Sequence, residues 1–268
     1  MKINLIIGGT EKGGTTSLYN LLKEHPKVLM PRAKELHFFS DENYFTENDV
    51  DYQQYHRMFF GRSYKYKFKL YYKYLSGARI FGDASPEYMW WNSAPHRVYQ
   101  YNPLAKWLIL LRNPIDRAFS HYKMNVFKKG AKKGHQNEQL SFMEAIIQEK
   151  ERCKKSLPLQ DKNFSYMDKG LYSKQLKNIY KYFDKNNVYV ETSDVFKFNT
   201  FGTVNEICNF LGIDDYREYY IPKRYDSNIG VNDITMTSEE RQYLVDYFKD
   251  EVKELEVILQ KDLSFWLK

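Results

Sequence analysis

Short, unbroken apolar runs alternate with longer amphipathic stretches along most of this chain. The runs are Ile3 to Ile7, Val28 to Met30, Arg79 to Phe81, Trp107 to Leu111 and Val188 to Glu191. Each is short and continuous rather than alternating, which predicts strands buried on both faces. Between them, helical spacing of apolar residues predicts helices over Thr16 to Glu24, Ile115 to Phe127, Ser141 to Cys153, Ser173 to Phe183, Thr203 to Leu211 and Ser238 to Leu259. Buried strands separated by helices make a parallel sheet covered on both sides, so the expected fold class is α/β.

Local punctuation agrees with these boundaries. Pro114 stands near the first turn of the helix after Leu111, where its missing N–H costs little, and Gly212 follows Leu211 at a stop position. Thr237 followed by Ser238-Glu239-Glu240 offers an N-cap with early acids. The polar, basic segment Lys128 to Asn137 reads as an exposed loop, and Lys154 to Lys169 as a second irregular stretch. No internal repeat appears, and the motif spacing favours one domain over residues 1–268.

Composition narrows the class. With 43% hydrophobic, 17% aromatic and 28% charged residues, the 268-residue chain is globular rather than disordered. Cys153 and Cys208 are the only cysteines, too few for a disulfide framework or a cysteine-rich metal site, which fits a reducing compartment. No run approaches the roughly 20 apolar residues of a membrane span. The net charge of +7 favours an anionic partner without choosing among nucleic acid, lipid, nucleotide or acidic glycan.

Chemistry first appears after the first strand. Gly8-Gly9-Thr10-Glu11-Lys12-Gly13-Gly14-Thr15-Thr16-Ser17 runs directly into a helix. A glycine-rich strand-to-helix turn presents backbone N–H groups and the positive helix end to an anion, and Lys12 adds a point charge. The pattern departs from the nucleoside triphosphatase loop, because Thr15 holds the lysine position and the lysine lies earlier. A second anion motif follows the fourth strand: Arg112-Asn113-Pro114, with Arg117, Ser120 and Tyr122 on the ensuing helix. Both emerge at carboxyl ends of strands, where open parallel sheets bind ligands. Two such motifs suggest a nucleotide with two separated anionic groups.

On these residues the sequence resembles the sulfotransferases that use 3′-phosphoadenosine 5′-phosphosulfate (PAPS). Lys12 to Leu18 with His25-Pro26 resembles their 5′-phosphosulfate loop, and Arg112-Asn113-Pro114 with Ser120 their 3′-phosphate motif. Lys34-Glu35-Leu36-His37-Phe38-Phe39 resembles the glycan branch, as in heparan sulfate sulfotransferases. The resemblance implies a single P-loop, PAPS-type domain that transfers a sulfuryl group to an acceptor hydroxyl, a carbohydrate in the leading reading, and yields 3′-phosphoadenosine 5′-phosphate (PAP). Lys12, Gly13, Gly14, Thr15, Thr16 and Ser17 would hold the 5′ end, with Lys12 neutralising the leaving phosphate. Arg112 and Ser120 would hold the 3′-phosphate, and Lys223-Arg224 precede a loop in the position of the family's cofactor cover. Glu35 is implied as general base; His37 is its rival, and would face the other way if the segment were extended.

In Gly82-Asp83-Ala84-Ser85-Pro86-Glu87, Asp83 keeps a carboxylate that could orient a substrate hydroxyl or Lys12, or merely cap a turn; Ala84 stands where the family often has lysine. Tyr172 and Gln175 could line the site or belong to the core, as could Phe38, Phe39, Trp90 and Trp91. Asn43 to Tyr74 and Lys128 to Lys169 are candidate acceptor walls. No metal, nucleic acid or membrane span is expected, and the implied placement is cytoplasmic. A P-loop kinase or hydrolase and a non-enzymatic polyanion-binding module remain as alternatives.

Overall fold

The computed structural model describes residues 2–46, 50–127, 137–216 and 234–268. Its elements, in chain order, are β1 (Leu5–Gly9), α1 (Thr15–Glu24), β2 (Val28–Leu29), α2 (Tyr52–Phe60), α3 (Tyr64–Leu75), β3 (Ile80–Asp83), α4 (Glu87–Trp90), α5 (Ala94–Tyr101), β4 (Lys106–Leu111), α6 (Pro114–Val126), α7 (Phe142–Lys155), α8 (Tyr172–Tyr180), β5 (Val188–Thr192), α9 (Ser193–Phe198), α10 (Thr200–Leu211) and α11 (Ser238–Leu259). They group into two compact units, Met1–Leu111 with Leu176–Tyr225, and Arg112–Gln175 with Asp226–Lys268.

The first unit holds the sheet. Its five strands lie in the order β2-β3-β1-β4-β5, every pairing parallel. Leu5 stands opposite Gly82 of β3 and Lys106 of β4, and β4 runs in register with β5 from Trp107↔Val188 to Leu111↔Thr192. All five predicted strands are present. The central ones read as continuous apolar runs because helices cover both faces. Leu5, Ile7, Leu108 and Leu110 share a buried cluster with Leu18 and Leu22 of α1, Phe196 of α9, and Val204, Ile207 and Leu211 of α10. Trp107 alternates to the other face, where its ring meets Phe183 at 5.5 Å.

The second unit comprises α6, α7, the start of α8 and α11. Asn113 caps α6 by accepting the Ile115 N–H at 2.9 Å, and its amide donates to the Trp266 carbonyl at 2.9 Å. Pro114 is the first helical residue, as its position predicted. Thr237 and Glu240 form a reciprocal capping box at the start of α11, which buries Leu244, Phe248, Val252 and Leu255 along one face. Gly212 ends α10 with φ 70°, the left-handed stop that glycine takes without steric cost.

The pattern did not foretell α2, α3, α4, α5 or α9. In α3 the recurring large side chains are lysines and tyrosines turned to solvent, so no apolar stripe marks a buried face. Helices α4 and α9 are shorter than the window in which helical periodicity can be recognised. Aromatic core packing is the answer for Phe38, Phe39, Trp90 and Trp91, all of them buried.

Candidate active site

The loop after β1 is shaped by close backbone approach. Thr10 N–H donates to the Leu110 carbonyl at 2.8 Å, and Gly13 N–H donates back to the Thr10 carbonyl at 2.9 Å. A Cβ at residue 13 would lie 2.6 Å from the Leu110 carbonyl oxygen, so only glycine fits. Ser193 at the start of α9 closes the loop from outside, donating its hydroxyl to the Gly13 carbonyl at 2.5 Å. Lys12 turns the chain at φ 68° and Gly14 at φ 97°. Helix α1 then begins with no side-chain cap and no acid in its first turn. Its N–H groups and positive end therefore suit an anion, which is the fit that a 5′-phosphosulfate requires. Thr15 is buried, Ser17 half-buried and Thr16 exposed; the Ser17 N–H is already used by Gly14.

Within the same unit, the segment from Lys34 to His37 is fastened to the end of β3. Glu35 N–H donates to the Ala84 carbonyl at 3.1 Å, and His37 N–H donates to the Ser85 hydroxyl at 3.2 Å. The segment is not extended: Glu35 has φ 67° and His37 φ 56°. The two side chains consequently meet instead of facing opposite ways, with His37 Nε2 at 3.5 Å from Glu35 Oε2. His37 Nδ1 lies 3.0 Å from Glu87 Oε2 at the start of α4, and Lys34 donates to Glu35 Oε1.

The electrostatics follow from this crowding. Burial pushes the Glu35 carboxyl upward, but the His37 hydrogen bond and the Lys34 charge outweigh it and hold the group below the ordinary glutamate value. Burial opposes the His37 charge, yet Glu35 and Glu87 prevail and push its pKa up to about 9. His37 is thus an imidazolium at neutral pH and holds no vacant lone pair for a proton. Glu35 is held ionised, with 39% of its side chain exposed.

Asp83 has a different setting. It is 0% exposed and accepts hydrogen bonds from Ser85 at 2.8 Å and from Tyr55 and Tyr88 at 2.9 Å each. Desolvation raises its pKa, with the three hydroxyls opposing. The carboxylate faces no solvent and touches no lysine in this network; it holds Ser85, which in turn receives the His37 N–H. Lys34, Glu87 and the two tyrosines were not assigned roles from sequence. Lys34 heads the Glu35 motif and Glu87 and Tyr88 follow Asp83 in its own, so each carried a local hint; Tyr55, on α2, carried none.

In the second unit, Arg112 follows β4 directly and Ser120 lies on α6; both are half-buried. Tyr172 is fully buried and donates its hydroxyl to the Arg112 carbonyl at 2.9 Å, fixing the backbone that carries the guanidinium. Gln175 is buried as well, its amide 3.2 Å from the Lys169 carbonyl. Both are core residues. Lys223 and Arg224 lie outside the described residues, as do Lys128, Lys129, Lys132 and Lys133. Among the described residues no cluster of three or more His, Cys, Asp or Glu is placed to hold a metal ion.

A phosphate loop at the end of the first of five parallel strands, with an acid-base cluster on the neighbouring strand end, defines a nucleotide-dependent group-transfer fold. The family model described as a sulfotransferase domain matches residues 2–228, and the chain belongs to that family, whose sulfuryl donor is PAPS. The human heparan sulfate glucosamine 3-O-sulfotransferase 5 is 28% identical over 191 residues, 70% of this chain and 47% of that protein. The bifunctional heparan sulfate N-deacetylase/N-sulfotransferase 1 of Xenopus tropicalis is 24% identical over 98% of this chain and 31% of its own. The chain thus spans half or less of the length of these curated relatives. Among solved structures, a sulfotransferase from Alicyclobacillus acidocaldarius superposes with a TM-score of 0.77 at 30% identity, covering 100% of both chains. Mouse SULT7A1, solved as a complex with PAP, shares the fold with a TM-score of 0.51 at 14% identity.

Proposed function

We propose that this chain acts as one sulfotransferase domain that moves the sulfuryl group of PAPS to a hydroxyl of a carbohydrate, with Glu35 as general base. The observation that carries this reading is the state of Glu35: ionised, accessible, and oriented by His37, Lys34 and the Ala84 carbonyl in the unit that bears the phosphate loop. Such a carboxylate can take the acceptor proton at neutral pH without first shedding one of its own. PAPS, when bound, supplies the sulfuryl group and departs as PAP. Lys12 and the uncapped N–H groups of α1 would counter the charge that grows on the leaving phosphate, and Thr16 would add a hydroxyl donor. Arg112 and Ser120 would grip the 3′-phosphate and set the register. The carbohydrate acceptor is supported by the segment Lys34 to Phe39 and by the names of the heparan sulfate relatives. Ala84 is buried where the glycan branch often has lysine, so that contact is missing or supplied by another residue, which argues against heparan sulfate itself as the acceptor. Asp83 would act as a positioning residue through Ser85.

The test is calorimetric titration of the chain with PAP, 5′-AMP and magnesium-ATP, repeated on Arg112→Ala. The expected result is selective binding of PAP, weakened roughly 10- to 100-fold in the variant, as for loss of a charge-assisted hydrogen bond. Glu35→Gln should leave PAP affinity unchanged while lowering turnover with any active acceptor about 10²- to 10⁴-fold. Preference for magnesium-ATP would overturn the assignment.

A further inference from the structure

Helix α3 is turned inside out relative to an ordinary surface helix. Tyr64, Phe68, Tyr71, Tyr72 and Leu75 recur at the helical spacing of one face, and that face points to solvent: Tyr64 is 87% exposed, Phe68 71% and Tyr72 67%. The inward face is partly polar. Leu70 is buried, but its neighbours there are Tyr66, whose hydroxyl donates to the Met30 carbonyl at 2.7 Å, and Lys73, whose ammonium donates to the Lys23 carbonyl at 2.7 Å. Lys65 and Lys69 flank the outward stripe on one side and Lys67 on the other, all three exposed, and the helix contains no Asp or Glu. A surface helix of a globular protein normally turns its polar residues outward.

We propose that α3 docks the protein peripherally on an anionic phospholipid surface. Aromatic and leucine side chains on a convex face flanked by lysines have the composition of an interfacial helix, in which rings enter the headgroup region and ammonium groups reach lipid phosphates. At the N-terminal end of the same helix, Arg32, Arg62, Ser63 and Tyr66 line a cavity of about 380 Å³, with both arginines exposed. Neither guanidinium is paired with a carboxylate among the described residues. This cavity places two further cations where a headgroup phosphate would lie. A second copy of the chain fits the face poorly, since a two-fold contact would press lysines against lysines. No helix among the described residues is long and apolar enough to cross a membrane, so the association is one of surface contact.

The experiment is co-sedimentation of the chain with vesicles of phosphatidylcholine alone and of phosphatidylcholine with one quarter phosphatidylglycerol, for wild type, Phe68→Ser/Tyr72→Ser and Lys65→Glu/Lys69→Glu. PAP titration of each variant checks that the fold is intact, because none of these residues belongs to the nucleotide loop. Wild type should partition onto the anionic vesicles only, less so as salt rises, and each double variant should lose about ten-fold or more in partitioning with PAP affinity unchanged. Three results would overturn the proposal: equal binding to neutral vesicles or none to anionic ones, double variants that bind like wild type, or concentration-dependent self-association without lipid that the Phe68→Ser/Tyr72→Ser change abolishes. A soluble sulfated polysaccharide that binds α3 when vesicles do not would assign the face to a glycan instead. Absence of PAP binding by wild type would count against the enzymatic reading and leave the vesicle result standing.

Discussion

His37 carries its charge because two carboxylates face it, and that charge has a pH window. Its pKa lies above the ordinary value of about 6.5, so its stabilising contribution is complete below that value and is lost as pH rises through about 9. Glu35, held low, keeps its proton off throughout the neutral range. The rate of sulfuryl transfer should therefore be flat through neutrality and fall on an alkaline limb near pH 9 that is missing in His37→Gln; a limb that persists in the variant would belong to another group. Asp83 poses the opposite case, a carboxylate with no exposure whose oxygens accept from three hydroxyls. Asparagine offers one accepting oxygen in place of two, and turns an amide toward hydroxyl donors. Asp83→Asn should cost ~1–3 kcal/mol in urea unfolding, and lower turnover more than PAP affinity because Ser85 loses its anchor beneath His37.

Among the elements, the β1–α1 loop is the most tightly specified. Residue 13 cannot carry a Cβ without displacing the Leu110 carbonyl, and residue 14 holds a φ that only glycine adopts freely. Gly14→Ala should cost about 1–2 kcal/mol through its backbone alone. Gly13→Ala should additionally push the loop off β4 and reduce PAP affinity, and calorimetry beside thermal unfolding separates the two effects. Ser193→Ala, which releases only the hydroxyl bond to Gly13, should weaken PAP binding with a small change in stability.

At the scale of the whole molecule, a buried carboxyl in the second unit adds a pH dependence of its own. Glu149 of α7 is buried and accepts the Met167 N–H at 2.6 Å and the Asp168 N–H at 2.8 Å. Burial outweighs those bonds and pushes its carboxyl up to about 7. A carboxyl raised in the folded state stabilises at low pH and surrenders that contribution as pH climbs through its folded value. The thermal midpoint should decline as pH rises through about 7, and decline less in Glu149→Gln.

Much of this protein was legible without coordinates. The apolar runs marked all five strands because strands buried on both faces leave no polar alternation. The order of Lys12, Gly13, Gly14, Glu35 and Arg112 along the chain pointed to the sulfotransferase family, because a phosphate loop needs contiguous glycines and a helix start in fixed succession. Helix α3 stayed hidden, since its exposed tyrosines and lysines give no buried stripe, and α2, nine residues long, buries only Tyr55 and Phe59. Side-chain partnerships also required the fold: Glu35 meets His37 only because both residues take left-handed backbone angles, and Glu87 and Lys34 complete the cluster across a strand end. Asp83 looked catalytic by its motif and proved to be enclosed by Tyr55, Ser85 and Tyr88. Sequence alone determined the strands and the phosphate loop, because those are local patterns of spacing and hydrophobicity, and its motifs carried the resemblance to the family. Tertiary structure decided which carboxylate is accessible and which is sealed, because burial and charge pairing depend on residues that the chain brings together from afar.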